Sequence, residues 1–299
     1  MLRVKLLLAC IALILSINLD ARNRVLHSEK SMYRNIMVSQ YRGERCMLFG
    51  RMSRNPTRQS CFNVSAPEQL VFSYTKLVLA GFTQIKQPPA RILIIGLGGG
   101  TLPMTLETLY PEALIDSVEI DPAVIQVAKD WFNYVPSEKQ KVHAQDGRVF
   151  VKRQGLRGIK YDVIILDAFN GDYIPEHMMT EEYFQELKSV MSDDALLMAN
   201  TFSSNRLYDH ESVTYNRVFG TFYHAHSDRS GNRIIYANLS KLNAFEDNPE
   251  VQQLKESLED IGVNFSTFNR LISQEVDWDE SAKPLTDQYS PANLLNQSN

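Results

Sequence analysis

The sequence predicts an α/β protein: a doubly wound, mostly parallel sheet with helices on both faces, preceded by a small antiparallel β unit. Three observations carry this. From Ile92 onward, short apolar runs alternate with helical patterns at the spacing of strands joined by crossover helices. The runs "YDVIIL" (161–166) and "ALLMA" (195–199) are almost continuously apolar, as strands buried on both faces require. Upstream, residues 31–64 carry short alternating runs broken by Gly43, Gly50 and Asn55-Pro56, which is hairpin patterning.

Three segments follow: an apolar N-terminal stretch (1–24), a β-strand domain (25–66) and the α/β body (67–299). In the first, Arg3 and Lys5 precede the run Leu6–Leu15, which Ser16 and Asn18 then dilute. The run is shorter than the roughly 20 residues of a spanning helix. A signal peptide cut after Ala21, an anchor, and an interfacial helix touching a membrane through residues 6–19 all fit. Arg22 and Arg24 follow the run, so charge does not orient it. Of the three cysteines, Cys10 lies in this run; Cys46 and Cys61 are expected as free thiols, or as a disulfide if the body is exported.

The remaining elements read in order. Pro67 is expected to open a helical stretch to Leu79, closed by Gly81, and "KQPPA" (86–90) is a rigid link. Strands are expected at Ile92–Ile95, Leu114–Ile120, Val142–Ala144, Tyr161–Leu166 and Ala195–Ala199, with helices over 103–110, 122–132 and 180–191. A helix from about Asn205, strands near Thr221–Ala225 and Ile234–Asn238, and a helix over 248–261 complete the body. The polar tail from Gln274 reads as loop.

The chain has 31 basic and 35 acidic residues, a net charge of -4, and no Lys/Arg block that could track a phosphate backbone, so nucleic acid is not an expected partner. Its chemistry starts at "RILIIGLGGGTLP" (91–103), where four of the five positions from Gly96 to Gly100 are glycine. This turn leaves a buried strand and opens a helix, so its bare amides face a ligand at the helix's positive end. Alone it fits NAD, FAD or an adenosyl cofactor, and a tight structural turn as well.

Acids at the ends of the following strands sharpen the reading. Glu119 ends the second strand, about 20 residues past the first glycine, where a carboxylate can accept both hydroxyls of a ribose. Asp146 follows the third strand in "HAQDGR" and reads either as a partner for an adenine edge or as a helix cap or Asp-Gly turn. Asp167 ends the fourth strand. All fall at the strand carboxyl ends, where open parallel sheets bind ligands. A crevice holding three acids would repel a pyrophosphate at Asp167 and offers it no basic partner nearby, so it suits a cationic ligand better. The sulfonium of an S-adenosyl donor is such a cation.

In the run "ILIIGLGGGTLP…VEIDPAVIQVAKDWF…AQDGRVF…YDVIILDAF" the sequence resembles the spermidine synthase-like (polyamine aminopropyltransferase) branch of the class I S-adenosyl-dependent transferases. "SMYRNIMV", "VFSYTK" and "LTDQYSP" support the resemblance, which covers roughly residues 27–295. It implies a Rossmann-like sheet of the class I methyltransferase type. It also implies a cofactor set of Gly96, Gly98, Gly99, Gly100, Glu119, Ile120, Asp146 and Gly147, with Asp167 as the catalytic acid residue that orients and deprotonates an amine. Tyr74 matches a tyrosine lining the transfer site, and reads equally well as a buried aromatic. Asn170, Asp172 and Tyr173 fall where the acceptor is held.

The departures bear on the donor. Relatives that make polyamines carry G-G-G-D-G in the turn and D-x-x-D after the fourth strand; here Gly99 and Asn170 replace an acid of each. Asp172 could substitute for one by a two-residue shift, and "HSDRSGN" lacks the family's later proline-flanked tyrosine. Decarboxylated S-adenosylmethionine ends in an ammonium that wants such acids, whereas S-adenosylmethionine also bears a carboxylate that an acid at position 99 would repel. Aminopropyl transfer and methyl transfer to a small-molecule or peptide amine therefore both stand, beside a nucleoside-binding protein without catalysis. Either transfer is an in-line displacement needing mainly positioning in a dry pocket, with 168–179 as a covering loop. "YHAHSD" places His224, His226 and Asp228 at a spacing seen in metal sites, but alternate strand residues share a face anyway, and no metal is expected. A homodimer is left open. Adenosyl donors are cytosolic, so the body is expected to face the cytoplasm.

Overall fold

The computed structural model describes residues 23–50, 56–169, 174–239 and 241–289. The apolar N-terminal run lies outside them, and among the described residues no helix is long and apolar enough to cross a membrane.

The N-terminal sheet is an antiparallel meander of five strands: β1 (Arg24–Lys30), β2 (Asn35–Tyr41), β3 (Glu44–Phe49), β4 (Thr57–Asn63) and β5 (Ala66–Leu70). Arg42 and Gly43 both have positive φ, the geometry of a two-residue hairpin whose twist matches its strands. Period-two alternation gives the sheet two apolar faces. Ile36, Val38, Met47, Phe49 and Phe62 pack on Val124, Val127 and Phe132 of the body, while Met37, Cys46, Leu48 and Cys61 line the other face.

Two expectations are corrected here. Cys46 and Cys61 are joined by a disulfide, because the β3–β4 register sets them directly opposite with Cα atoms 4.1 Å apart. Pro67 lies in strand β5, not in a helix; β5 is an edge strand, where a missing N–H is tolerated. Helix α1 (Ser73–Ala80) starts only after it.

The body is an eight-stranded sheet built from β6 (Arg91–Ile95), β7 (Leu114–Glu119), β8 (Gln140–Ala144), β9 (Tyr161–Leu166), β10 (Met191–Phe202), β11 (Tyr223–His226), β12 (Asn232–Ala237) and β13 (Ile272–Ser273). Their spatial order is β13-β11-β12-β10-β9-β6-β7-β8. The five from β8 to β10 are parallel, and β12, β11 and β13 add on antiparallel. Helices α2 (Thr101–Leu109), α3 (Pro122–Trp131), α4 (Gly147–Leu156), α5 (Glu181–Val190), α6 (Tyr208–Phe219), α7 (Pro249–Asp260) and α8 (Phe265–Leu271) cover it. Side chains alternate along β6, so Ile92 and Ile94 join the core on one face and Leu93 and Ile95 the core on the other. Helices α4 and α8 are not among the expected helices: at Asp146-Gly147 the sequence left a helix cap and a turn open, and α8 is short.

The topology fixes where a ligand sits. The chain leaves β6 for β7 and β8 on one side and returns to β9 on the other, so loops at the carboxyl ends of β6 and β9 diverge around a crevice.

Candidate active site

The glycine turn is shaped by close approach. A Cβ on Gly96 would stand 2.2 Å from the Asp167 carbonyl oxygen, and its φ of +105° disfavours any side chain, so the loop after β6 lies directly on the backbone after β9. The turn and the catalytic candidate are thereby held as one piece. A cavity of about 530 Å³ opens beside them, within the range of small-molecule sites.

Glu119 ends β7 and is 9% exposed. Its Oε2 accepts the Leu97 N–H at 3.2 Å and its Oε1 accepts the Asp121 N–H at 3.0 Å, so the carboxylate is fixed against the glycine turn with lone pairs remaining. Burial raises its pKa; those two amides and the Arg34 charge oppose the shift. Asp121 caps α3 by accepting the Ala123 N–H at 3.0 Å, and it also accepts the Ser31 hydroxyl at 2.5 Å.

Asp146 does what its alternative reading expected: it caps α4, its Oδ1 accepting the Val149 N–H at 2.9 Å. Its Oδ2 lies 2.8 Å from His177 Nε2, a contact that holds the carboxyl below the usual range. It lines the cavity as well. The cap therefore places the side chain at the cavity wall.

Asp167 follows β9. Its Oδ1 accepts from Asn200 Nδ2 at 2.8 Å and its Oδ2 from the Tyr74 hydroxyl at 3.1 Å. Asn200 is itself held by Asn232, whose Nδ2 donates to Asn200 Oδ1 at 2.9 Å. Burial pushes the Asp167 carboxyl up to about 6; the two hydrogen bonds oppose this and the Glu119 charge adds to it. The same burial, with Asp167 alongside, keeps the Tyr74 phenol protonated and thus a donor. Asp167 makes no ion pair among the described residues.

Of the residues singled out in the sequence, Tyr74, Gly96, Gly98, Glu119, Ile120, Asp146, Gly147 and Asp167 line this one cavity. Gly99 and Gly100 do not. A Cβ on Gly99 would lie 2.6 Å from Ser60 Oγ and 2.7 Å from Phe132, and one on Gly100 2.5 Å from Tyr134. The missing side chain at 99 points into the contact between the N-terminal sheet and the body, which removes the premise that Gly99 makes room for a donor carboxylate. Asn170, Asp172 and Tyr173 lie outside the described residues.

The expectation of a crevice without basic partners is also corrected. Arg34, Arg58 and His177 line the cavity, and Arg34 donates to the Phe169 carbonyl at 3.1 Å. Arg34 and Arg58 arrive from the N-terminal sheet, whose placement sequence pattern does not give. Sequence reasoning also missed Asn200 and Asn232. Asn200 was findable, as the polar residue directly after "ALLMA" toward a strand's carboxyl end; Asn232 opens an antiparallel strand between β11 and β10 and carries no such signal.

Comparison with known proteins agrees with this architecture. The family model described as "Spermine/spermidine synthase domain" matches residues 71–226. A polyamine aminopropyltransferase from Vibrio vulnificus is 42% identical over 294 residues, 98% of each chain. Among solved structures, a probable spermidine synthase from Corynebacterium glutamicum superposes with a TM-score of 0.62 at 17% identity, covering 87% of this chain and 98% of that one. Human methyltransferase-like protein 13 in complex with SAH does so with a TM-score of 0.56 at 26% identity, covering 75% of this chain and all of that one. On its sequence, the chain belongs to the spermine/spermidine synthase family.

Proposed function

We propose that the protein is a transferase that moves an aminopropyl group from decarboxylated S-adenosylmethionine to an amine, as polyamine biosynthesis requires. The whole-chain likeness to the Vibrio aminopropyltransferase supports the reaction class. The observation that carries the site is the state of its acids. Asp146 faces His177 and Glu119 feels Arg34, but among the described residues Asp167 meets only the neutral donors Tyr74 and Asn200. Its counter-charge is left for a substrate to bring.

In this reading Glu119 accepts the ribose hydroxyls, Asp146 and Gly147 border the adenine, and the sulfonium end of the donor lies toward Asp167. The acceptor nitrogen attacks the aminopropyl carbon bonded to sulfur. Asp167 first takes the ammonium's proton and frees its lone pair; the C–N bond then forms as the C–S bond breaks, and the C–S electron pair returns to sulfur, leaving a neutral thioether and a secondary ammonium. An alkylamine has a pKa of about 10 and arrives protonated, so a carboxylate poised near 6 binds the ammonium, orients it and takes up its proton. Tyr74 and Asn200 keep both carboxylate oxygens pointed. The rest of the rate comes from alignment of donor and acceptor in the cavity.

A second reading, methyl transfer from S-adenosylmethionine, is supported by Asn170 in place of a family acid and by the likeness to human methyltransferase-like protein 13. One experiment separates the two. The protein is incubated with each donor and a set of diamines and polyamines, and products are weighed by mass spectrometry. The proposal expects an aminopropyl mass increment from the decarboxylated donor only. A methyl increment, or donor binding without any product, would overturn it.

A further inference from the structure

At the edge of the eight-stranded sheet, away from the acids of the cavity, four ligand-capable atoms converge from three separate segments. His224 and His226 stand on one face of β11, with His224 Nδ1 3.2 Å from His226 Nε2. Asp277, in the segment after β13, brings Oδ2 to 2.9 Å from the same His226 nitrogen. Tyr208, the first residue of α6, sets its hydroxyl 3.2 Å from His226 Nε2 and 2.7 Å from Asp277 Oδ1. Asp228, the acid that sequence spacing grouped with these histidines, instead pairs with Arg270 at 3.0 Å.

The proton count is unusual. His224 Nε2 lies 2.9 Å from the Glu275 carbonyl, which can only accept, so that nitrogen carries the hydrogen and Nδ1 presents a lone pair. Tyr208 directs its proton at Asp277. His226 Nε2 then faces three oxygen and nitrogen neighbours with at most one hydrogen to share. A cation resolves this better than a proton does. Ligand atoms of a tetrahedral site with bonds of about 2.0–2.1 Å are about 3.3 Å apart, within a few tenths of an ångström of the observed 2.9 and 3.2 Å. A histidine that donates its other ring N–H to a carbonyl is the usual outer support of a metal ligand.

The surroundings are built rather than incidental. His224 is 2% exposed, and Trp278 stacks on Phe222 at 4.9 Å while meeting the His224 ring edge-on at 5.9 Å. His226 and Asp277 are partly open to solvent, which leaves an entry path. The nearby Arg233 is already paired with Glu211 at 3.3 Å.

We propose that His224, His226 and Asp277, with the Tyr208 oxygen or a water as the fourth donor, hold one divalent transition-metal ion of the zinc class. Two imidazoles and a carboxylate whose ligand atoms all lie within 4.8 Å of one another are a donor set zinc accepts. The ion clamps the chain after β13 onto β11 and the start of α6. β11 leads into the 227–231 turn and then Asn232, so the clamp also steadies the Asn232–Asn200–Asp167 series of hydrogen bonds. Its role is structural and independent of which group is transferred.

The test uses the full chain without appended histidines, stripped by chelator, equilibrated with zinc sulfate and desalted. One zinc per chain is expected, cobalt substitution should give the visible absorption of a tetrahedral site, and added zinc should raise the unfolding midpoint where magnesium does not. His226→Ala and Asp277→Asn should each weaken zinc binding by at least about 100-fold, while His27→Ala should leave it unchanged. Failure of the stripped wild type to retain zinc, no shift of its unfolding midpoint, or full retention by His226→Ala would each overturn the site. The wild-type measurements decide the matter even if a variant does not fold.

Discussion

Asp167 and Glu211 are both acids withdrawn from bulk water in the same α/β body, and they are satisfied in opposite ways. Glu211 is 1% exposed and has its cation built in: Arg233, fully buried, lies 3.3 Å away, donates to Ser212 and Thr201, and sits over the Tyr208 ring. Asp167 has two neutral donors and no cation among the described residues. The residues that set these environments are neighbours on β12, where Asn232 leads to Asp167 and Arg233 to Glu211, alternate side chains pointing to opposite faces. A buried acid with its own arginine serves the fold, and one without awaits a charged substrate.

The largest expected break of this comparison is Asp167→Asn. The variant should lose about 10²–10⁴-fold in turnover, the scale of a proton acceptor in place, while calorimetry shows the nucleoside donor still bound. Chemical denaturation at pH 8 should show no loss of stability. The carboxyl's pKa is raised on folding to about 6, so ionising it opposes folding above that pH, and the neutral amide removes that opposition. A clear drop in stability would place Asp167 with Glu211 among structural acids.

Glu211→Gln should do the reverse. It leaves Arg233 buried without a counter-charge, which costs about 3–5 kcal/mol, read as a lower denaturant midpoint at unchanged slope. Turnover per folded molecule should stay within a few-fold of wild type. Loss of turnover in the folded variant would show that the two acids are not independent.

How far the sequence reaches follows the same division. The parallel strands, the glycine turn and the acids at the ends of β7, β8 and β9 were legible because each is local: an apolar run, a bare turn, a polar residue where the run stops. What joins distant segments was not. The Cys46–Cys61 disulfide depends on the register of β3 with β4, Arg34 reaches the cavity only once the N-terminal sheet docks, and Gly99 faces Ser60 and Phe132 for the same reason. Asp146 was read both as a cap and as a site residue, and the fold makes it both, since a helix opening at a strand's carboxyl end has its cap in the crevice.

Gly96→Ala tests whether Asp167 is held by the glycine turn. The added methyl group meets the Asp167 carbonyl oxygen at a φ unfavourable to alanine, and strain of this kind costs on the order of 1–3 kcal/mol. Both stability and turnover should fall, because relief requires the β9 loop to move. An equal substitution at Gly158, where a side chain has open space, shares the positive φ but not the contact, so turnover should survive there.

The smallest effect is expected from Tyr74→Phe, and it is the most discriminating. The Tyr74 hydroxyl stabilises the ionised form of Asp167, and a hydrogen bond to a charged group contributes about 1.5 kcal/mol or more, at least a tenfold shift in a protonation equilibrium. The acceptor proton is taken by the ionised carboxylate, so kcat/KM should fall as the pH drops through about 6 in the wild type. Without the hydroxyl, the Asp167 pKa rises further and that acid limb moves to higher pH. At pH 8 the variant should approach wild-type rate, where Asp167 is ionised in both, apart from any loss of alignment. A limb that stays in place while the rate falls at every pH would mean that Tyr74 positions the substrate directly and leaves the carboxylate's charge untouched.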